Sequence, residues 1–536
     1  MRKILLTLTL ISPVLTNAKG LDEKINDKFM PIAEWWEGFV LTPIEIAGKE
    51  IPFVLLLLVL GATFFTIYFL FPGIKRFGLA INTVRGKYDN IDHHSAGKSD
   101  LNIEGDIKGT IKDESEDGEV SHFQALATAV SGTVGLGNIA GVAVAIALGG
   151  PGATFWMIVC GIIGMSTKFV ECTLGVKYRD VGDDGTIYGG PMYYLKKGLD
   201  AKGMKTLGKI LGGLFAILCV GASFGGGNAF QSNQAAVQIS SMLGVSGGSS
   251  GFFIGLILSV LVGIVIIGGI KRIAKITEKI VPFMAGIYVL ASLIIISLNY
   301  TYIDDAFKLI FEGAFTPMAG LGGIIGVIIV GFQRAAFSNE AGAGSAAIAH
   351  SAVKTKYPAS EGVVALLEPF IDTVVICTMT ALVIIFFNID GINLQSEFSY
   401  GSVETSKVLM TETGQYVGGV DLTSMAFNSA IPGFSYVLTL AIVLFAFSTM
   451  ISWSYYGLQS WKYLFGKGRR ADLIYKILFL LFIIIGASAT LDAVIKFSDA
   501  MILALVFPNM IGLLLLFPEV KKELAKYLKA IERSKK

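Results

Sequence analysis

Charged residues are scarce in this sequence. They make up 16% of its 536 residues, while 53% are hydrophobic. In soluble domains the charged share is roughly 25%. The formal net charge of +2 also provides no basic surface for the phosphates of a nucleic acid. So little charge in so long a chain is typical of a polytopic membrane protein, whose partner is the lipid bilayer.

Cysteine and histidine are rare as well, with four of each. The cysteines lie in or beside apolar runs without metal-ligand spacing, so we interpret them as small packing residues. The chain also lacks the GxxxxGK[ST] loop of ATP-binding proteins, the HExxH zinc motif and the GxSxG motif of hydrolases. These absences argue against an enzyme and against a transporter driven by ATP.

Glycine and long apolar runs are abundant instead. Glycine occurs 63 times in 536 residues, well above its usual share of about 7%. Eleven apolar segments each approach the ~20 residues that a membrane-spanning helix needs. They lie at about 51–71, 122–147, 152–176, 207–237, 251–270, 278–299, 318–338, 361–387, 432–457, 471–489 and 491–517. The sequence therefore predicts an all-α polytopic membrane protein with 11 spans.

Residues 1–18 have the pattern of a secretory signal peptide. Arg2 and Lys3 precede the apolar run Ile4–Val14, which is too short to span, and the small residue Ala18 follows. We predict cleavage near Ala18, with an uncleaved N-terminal anchor as the alternative. The other expected parts outside the main body are an extracytoplasmic segment at 19–50, an extra transmembrane helix at 51–72, a cytoplasmic loop at 73–121 and a cytoplasmic tail at 518–536.

Lysine and arginine are distributed unevenly over the predicted connections. Alternate connections, beginning with 73–121, hold 34 of the 43 basic residues, and the opposite connections hold seven. Because basic loops stay in the cytoplasm, the mature N-terminus is predicted outside and the C-terminus inside. A cleaved signal peptide would also leave the N-terminus outside. Both features favour a multi-pass protein of the bacterial inner membrane.

The apolar segment Thr128–Gly150 contains several glycines and polar side chains. Each glycine costs a helix interior about 1 kcal/mol relative to alanine, so a continuous helix is unfavourable here. A break in a membrane helix frees N–H and C=O groups, which must contact protein, water or a ligand. In transporters, such half-helix ends bind a carboxylate and a cation. We therefore predict a broken helix, with close helix packing at the glycines as the alternative.

Polar side chains also occur at membrane depth in two other segments, where they need partners. Phe230, Gln231 and Gln234 share one helical face, which would line a site for a small polar ligand. Ser448 and Thr449 offer hydroxyl oxygens, which are ligands that Na⁺ prefers. The alternatives are hydrogen bonds between helices for the amides and bonds to the preceding turn for the hydroxyls.

Charged side chains inside predicted spans are functional candidates by default. Glu368 and Asp372 flank a proline in an otherwise apolar span, where they would serve a proton or cation relay or bond to a kinked helix. Arg334 and Glu340 are six residues apart, and we interpret them as a gate or structural ion pair, with each other or with neighbours.

Eight motifs occur in order between about residues 120 and 465. They are GTVGLGNIAGVAVAIALGGPGATFWM, GMSTKFVECTLGVKYR, GGPMYYL, FGGGNAFQSNQ, GGIKRIAKITEKIVPFMAG, GFQRAAFSNEAGAGSAAIAH, EPFIDTVVICTMTALVI and FSTMISWSYYG. Together they resemble the sodium/alanine (amino acid:cation) symporter family, while the signal peptide and the polar loop 74–120 are poorly covered. The resemblance implies a LeuT-like fold, with inverted five-helix repeats at 122–299 and 318–517 after the extra helix.

The resemblance also implies Na⁺-coupled symport of alanine or glycine, including D-alanine, by alternating access. Na⁺ would be the coupling ion, and no other cofactor is expected. Two alternatives stay open from the residues alone. One is a transporter of the same fold that uses H⁺, with Glu368 or Asp372 titrating. The other is a channel, which cannot accumulate its substrate against a gradient.

The resemblance and the predicted break together indicate the binding sites. The predicted substrate site consists of Thr133, Gly135, Gly137, Asn138, Phe230, Gln231, Gln234 and Trp453. Freed N–H groups at the glycines would hold the carboxylate with the threonine and asparagine, the glutamines would orient the substrate, and the aromatic rings would enclose the methyl group. Na⁺ would be coordinated by carbonyls near Ser131 and Val134 and by the hydroxyls of Ser448 and Thr449.

Overall fold

The computed structural model describes residues 20–46, 48–92, 119–182, 186–245, 248–316, 323–389, 396–400 and 406–534. Within this part of the chain nearly every element is a helix, and the three sheets are two-stranded hairpins. The predicted all-α class is confirmed. The predicted signal peptide at 1–18 and residues 93–118 of the predicted cytoplasmic loop lie outside the described residues.

Seven helices among the described residues are long and apolar enough to cross a membrane. They are Gly152–Lys177, Lys205–Leu243, Gly269–Leu298, Pro358–Phe387, Ser435–Phe465, Arg469–Ser488 and Leu491–Ser534. A bent pair, His122–Thr133 with Gly137–Gly149, forms an eighth candidate. Three shorter apolar helices, Phe53–Tyr68, Ser250–Ile266 and Ile324–Asn339, occupy further predicted positions. A polytopic helical membrane protein is confirmed, and the count of 11 spans stays a prediction.

The first broken helix consists of His122–Thr133 and Gly137–Gly149, which are bent by 51° at the break. The first half ends at Thr133 and is followed by Val134, whose φ of −75° and ψ of 88° lie outside the helical region. The second half begins with the π-helical residues Gly137–Gly141 and continues as the α-helix Val142–Gly149. The break predicted from the glycines and polar residues of this segment is therefore confirmed.

The second broken helix consists of Ile324–Asn339 and the short helix Ala346–His350. Between them the chain unwinds, with positive φ at Glu340 (54°), Gly342 (97°) and Gly344 (80°). Glycine adopts positive φ without strain, but glutamate does so rarely. The sequence predicts a gate or ion pair in this stretch, and the structure adds a second break.

Two other long helices are interrupted by π-helical turns. Gly225–Ala229 lies within Lys205–Leu243, and Phe370–Cys377 lies within Pro358–Phe387. The second of these turns contacts Gly137–Gly141, the π-helical start of the second half of the first broken helix. Because π-turns widen a helix and are frequent at functional sites, they direct attention to the region where they meet.

The remaining elements lie outside the candidate spans, and all of them except the 20-residue helix Leu21–Val40 are short. They are the helices Leu21–Val40, Pro72–Lys75, Phe77–Val84, Asp89–Asp92, Pro191–Ala201, Tyr300–Tyr302, Ile303–Phe315 and Val420–Ala430, and the strand pairs Pro43–Ile46 with Lys49–Pro52, Asp180–Val181 with Ile187–Tyr188, and Lys407–Leu409 with Tyr416–Gly418. The last helix, Val506–Ser534, continues well past the predicted end of the final span at 517. Each predicted repeat, 122–299 and 318–517, would begin with a broken helix, and these boundaries stay a prediction.

Candidate functional site

The backbone N–H groups freed at the first break are bound by side-chain amides. The Gly135 N–H donates to Asn138 Oδ1 over 2.9 Å, and the Leu136 N–H donates to Gln231 Oε1 over 2.9 Å. The Gln231 Nε2 group donates to the carbonyl of Gly226 in the π-turn of its own helix. Both amide side chains are buried. The N–H donors freed at the first break are therefore already bonded to oxygen acceptors.

Asn138 is held in place by a buried carboxylate. Its Nδ2 group donates to Asp372 Oδ1 over 2.6 Å and to Ser338 Oγ over 3.0 Å. The hydroxyls of Ser338 and Thr373 each donate to Asp372 Oδ2 over 2.7 Å. Because the carboxylate can only accept, it orients the Asn138 amide with its oxygen toward Gly135. Asp372 thus joins the first broken helix, through Asn138, to the second, through Ser338.

Neutral oxygen atoms gather beside the end of the first half-helix. Thr449 Oγ1 donates to the Ser131 carbonyl over 3.0 Å, and Ser131 Oγ donates to the Ser448 carbonyl over 2.8 Å. Ser448 Oγ donates to the Phe445 carbonyl, and Ser452 Oγ donates to Ser131 Oγ, both over 3.0 Å. Three of the four residues predicted to bind Na⁺ are therefore in contact. The fourth, Val134, follows Ser131 by three residues at the helix end.

Aromatic rings lie close to the first break. The rings of Phe230 and Phe337 meet edge to face, with centroids 5.0 Å apart. A Cβ atom at Gly227 would overlap the ring of Trp453, so this ring packs directly on the helix that carries Phe230. A Cβ atom at Gly137 would lie 3.4 Å from the Phe337 ring. The predicted residues Gly137, Phe230 and Trp453 thus share one region, to which the structure adds Phe337.

Two residues predicted to bind the substrate, Gln234 and Thr133, form their hydrogen bonds with other groups. Gln234 Oε1 accepts the Val420 N–H over 2.9 Å, at the start of the helix Val420–Ala430. Gln234 also lines a cavity of about 620 Å³ beside Asp421 and Lys407. There, burial raises the pKa of Asp421, and the nearby Lys407 opposes that shift. The Thr133 hydroxyl bonds to carbonyls of its own helix, 3.3 and 3.5 Å away.

The second break carries a buried glutamate with neutral partners. Glu340 Oε1 accepts the indole N–H of Trp453 over 3.0 Å, and Glu340 Oε2 accepts the Ser345 hydroxyl. Among the described residues, no lysine, arginine or histidine lies within 4.0 Å of this carboxylate. Arg334 forms its ion pair with Asp499 instead of with Glu340. The sequence interpretation left that choice of partner open.

A second carboxylate, that of Glu171, also reaches this break. Its Oε1 atom accepts the Gly342 N–H over 2.9 Å and the Asn509 Nδ2 group over 2.8 Å. We did not predict Glu171, Ser338 or Asn509 as parts of the central region. All three are polar residues in apolar runs, which is a signal in the sequence, but spacing alone could not bring them together.

Other buried charges form a compensated network. Lys168 Nζ lies 3.0 Å from Glu368 Oε1, and His350 Nε2 lies 3.5 Å from Glu368 Oε2. Glu361 contacts both His350 and His122. These contacts neutralise Glu368, one of the two predicted relay candidates, whereas Asp372 has neutral hydrogen-bond donors.

Comparisons with known proteins identify the family. The family model described as the sodium:alanine symporter family matches residues 40–536. The sodium/alanine symporter AgcS of Methanococcus maripaludis is 43% identical over 427 residues, covering 77% of this chain and 88% of AgcS. The putative sodium/proton-dependent alanine carrier protein YrbD of Bacillus subtilis is 36% identical over 431 residues, covering 80% of this chain and 84% of YrbD.

Among solved structures, the crystal structure of MhsT in complex with L-phenylalanine aligns with a TM-score of 0.49 at 14% identity, covering 75% of this chain and 99% of MhsT. The match to the family model spans more than nine-tenths of the chain, and the identity to AgcS extends over most of both proteins. The chain therefore belongs to the sodium:alanine symporter family and is a transporter rather than an enzyme.

Proposed function

We propose that this chain couples the uptake of a small neutral amino acid to the entry of Na⁺, as a symporter that works by alternating access. Alanine or glycine is the expected substrate, and D-alanine is a further candidate. The observation that carries the proposal is the first break, where N–H donors and a cluster of neutral oxygens lie within a few residues of each other. Such a break attracts a carboxylate and a cation together.

The substrate's carboxylate would bind to the N–H groups of Gly135 and Leu136, close to Gly137. These groups already donate to amide oxygens, so a carboxylate oxygen can replace that of Gln231 without leaving a donor unsatisfied. Phe230 and Trp453 would enclose a small side chain. A tight apolar pocket of this kind discriminates by about 1–3 kcal/mol for each additional methylene group.

Na⁺ would bind between the carbonyls of Ser131 and Val134 and the hydroxyls of Ser448 and Thr449. The Phe445 carbonyl, one turn before Ser448, is a further candidate ligand. All these donors are neutral oxygens, which suit a hard monovalent cation. Because the carboxylate and the cation would bind to the same unwound residues, each should strengthen binding of the other by the same factor. This reciprocity would be the origin of coupling.

A substitution in the hydroxyl cluster tests the cation site. Thr449→Ala removes one oxygen ligand, so the Na⁺ concentration for half-maximal alanine uptake should rise about tenfold, equivalent to about 1.4 kcal/mol. Ser454→Ala is a matched control on the same helix, because Ser454 Oγ bonds to the carbonyl of Ile451 in its own helix. An unchanged Na⁺ requirement in the Thr449 variant would place the cation elsewhere.

Coupling to H⁺ is a second candidate, and the neutral surroundings of Asp372 favour this residue over Glu368 as the proton carrier. Uptake into proteoliposomes in Na⁺, compared with choline at fixed pH, separates the two ions. Equal uptake in both media would support H⁺ and remove Na⁺ from the mechanism. Accumulation of alanine above its external concentration would exclude a channel.

The topology is a separate part of the proposal. We propose a bacterial inner-membrane location, with the mature N-terminus outside and the C-terminus in the cytoplasm. The distribution of lysine and arginine supports this orientation, with 34 on one side and seven on the other. Alkaline phosphatase fused after residue 534 should be inactive, and a fusion within 406–415 should be active. The reverse pattern would invert the topology.

A further inference from the structure

The proposed substrate is a zwitterion, and its positive end still needs a partner. Gln234, one of the two glutamines predicted to orient the substrate, is committed to the Val420 N–H. Gln231 directs its oxygen to Leu136 and its nitrogen to Gly226. Gln234 therefore offers an ammonium group no acceptor without losing a bond to the backbone, and the Gln231 oxygen, when the substrate's carboxylate displaces it, offers only a neutral acceptor without a counter-charge. A buried site for a cation that lacks an acceptor would exclude that cation.

We propose that Glu340 binds the α-ammonium group of the substrate. This inference rests on the proposed function and identifies the group that would select an amino acid over other small carboxylates. Glu340 lies at the second break, and its Oε1 atom accepts the indole N–H of Trp453. Trp453 packs on Gly227, in the turn that precedes Phe230 and Gln231. The carboxylate of Glu340 thus borders the region proposed to enclose the substrate's side chain.

The electrostatic balance of the buried region supports this assignment. Glu340 is buried, and its two described hydrogen-bond partners, Trp453 and Ser345, are both neutral. A buried carboxylate is unfavourable unless a positive charge compensates it. Among the described residues, no basic side chain lies within 4.0 Å of Glu340, and the nearby Lys168 pairs with Glu368, so an ammonium group from the substrate would compensate the charge of Glu340 directly.

The backbone of Glu340 supports a functional role as well. Its φ of 54° is uncommon for a residue with a long side chain, and glycine or asparagine would adopt it at lower cost. Strained residues of this kind concentrate at ligand-binding sites. By contrast, Glu171 reaches the same break from a regular helix, where its Oε1 atom accepts from Gly342 and Asn509 and its Oε2 atom has no hydrogen-bond partner among the described residues. Glu171 is therefore a suitable control.

Lactate provides the sharpest probe, because it has the shape of alanine with a hydroxyl group in place of the ammonium group. In the wild-type protein in proteoliposomes, lactate should compete with labelled alanine at least about 100-fold less well than alanine does, since a buried carboxylate would lose its counter-charge. Equal competition by lactate would overturn the inference without any variant. Absence of Na⁺-dependent alanine uptake in the wild type would instead overturn the proposed function.

Glu340→Gln keeps the size of the side chain and an oxygen for the Trp453 N–H. Its alanine KM should rise about 100-fold, and its preference for alanine over lactate should fall close to one. Glu171→Gln should keep the wild-type preference, whatever its rate. A Glu340 variant that retains the wild-type preference, or one that changes only the Na⁺ requirement, would contradict the inference. If Glu340→Gln does not fold, the lactate competition in the wild type decides alone.

Discussion

The two broken helices differ in the groups that meet their unwound residues. At the first break, backbone N–H groups donate to the neutral amides of Asn138 and Gln231. At the second, the carboxylates of Glu340 and Glu171 accept from neighbouring donors, including the Gly342 N–H. Donors thus dominate the first break and negative charge dominates the second. A zwitterion between the two breaks would meet a partner of opposite polarity at each end.

The comparison also explains the position of Asp372. Its carboxylate binds Asn138 of the first broken helix and Ser338 of the second, so it fixes the relative position of the two breaks. A buried acid with several donors is a rigid connector, because a lost hydrogen bond would leave a buried polar group unsatisfied. The distance between the donor end and the acceptor end of the site therefore depends on this one residue.

The largest effect should come from filling the first break. A Cβ atom at Gly135 would overlap Thr449 Oγ1 and lie 2.9 Å from Gln231 Oε1, so Gly135→Ala must displace both proposed sites. Alanine uptake should fall at least about 100-fold, since a shift of 1 Å in a bound ligand can cost that much. Gly141→Ala is the matched control. A Cβ atom there meets no atom within 4 Å among the described residues outside its own helix.

Both variants should be purified as monodisperse protein before uptake is measured. If Gly135→Ala transports as well as Gly141→Ala, the first break is not where substrate and ion bind. The N–H donors that bind the substrate's carboxylate would then have to lie elsewhere in the protein.

Giving the first break a negative charge should have the next largest effect. Asn138→Asp keeps the side-chain size but places a second carboxylate 2.6 Å from Asp372 Oδ1, where the amide nitrogen donates now. Two carboxylates so close cannot both be charged, so one of them must be protonated near neutral pH. The alanine KM should rise roughly 10- to 100-fold at pH 8, because the charge that the pair shares then also resides at the first break, where it opposes the substrate's carboxylate.

The same variant should recover part of its affinity at pH 5.5, where protonation of the acid pair removes the repulsion. The wild-type protein, measured over the same range, provides the control. A KM that does not depend on pH in the variant, beyond the wild-type dependence, would contradict the assigned polarity of the first break.

The sequence predicts the first break better than the second for a physical reason. Within Thr128–Gly150, glycines and polar residues interrupt an apolar run in the middle, where a helix would otherwise continue. The glycines after Glu340 stand just past the end of the run 318–338, beside the polar residues Asn339 and Ser345, a pattern also typical of an ordinary helix end. Only the short helix Ala346–His350 identifies this stretch as a break.

The site residues also differ in how well their contacts could be predicted from the sequence. Ser448 and Thr449 could be grouped from the sequence, because hydroxyls within one turn act together whatever packs against them, whereas Ser131 on another helix joins them only through the family resemblance. Gln234 lies three residues after Gln231, and periodicity places both on one face. The hydrogen-bond partner of Gln234 is the Val420 N–H, 186 residues away, which no spacing rule could reveal. Glu340 was likewise visible as a buried charge, but its partner Trp453 was not.

The smallest effect should come from weakening the acceptor end without changing its charge. Trp453→Phe keeps an aromatic ring against Gly227 but removes the N–H group that donates to Glu340 Oε1 over 3.0 Å. A hydrogen bond to a charged group contributes about 1.5–3 kcal/mol, so the alanine KM should rise roughly tenfold or somewhat more. Trp461→Phe is the matched control, because the Trp461 Nε1 group has no hydrogen-bond partner among the described residues.

The preference for alanine over lactate should survive Trp453→Phe, since the carboxylate is still present. Loss of that preference would instead make the indole, rather than the charge of Glu340, the group that distinguishes an ammonium from a hydroxyl.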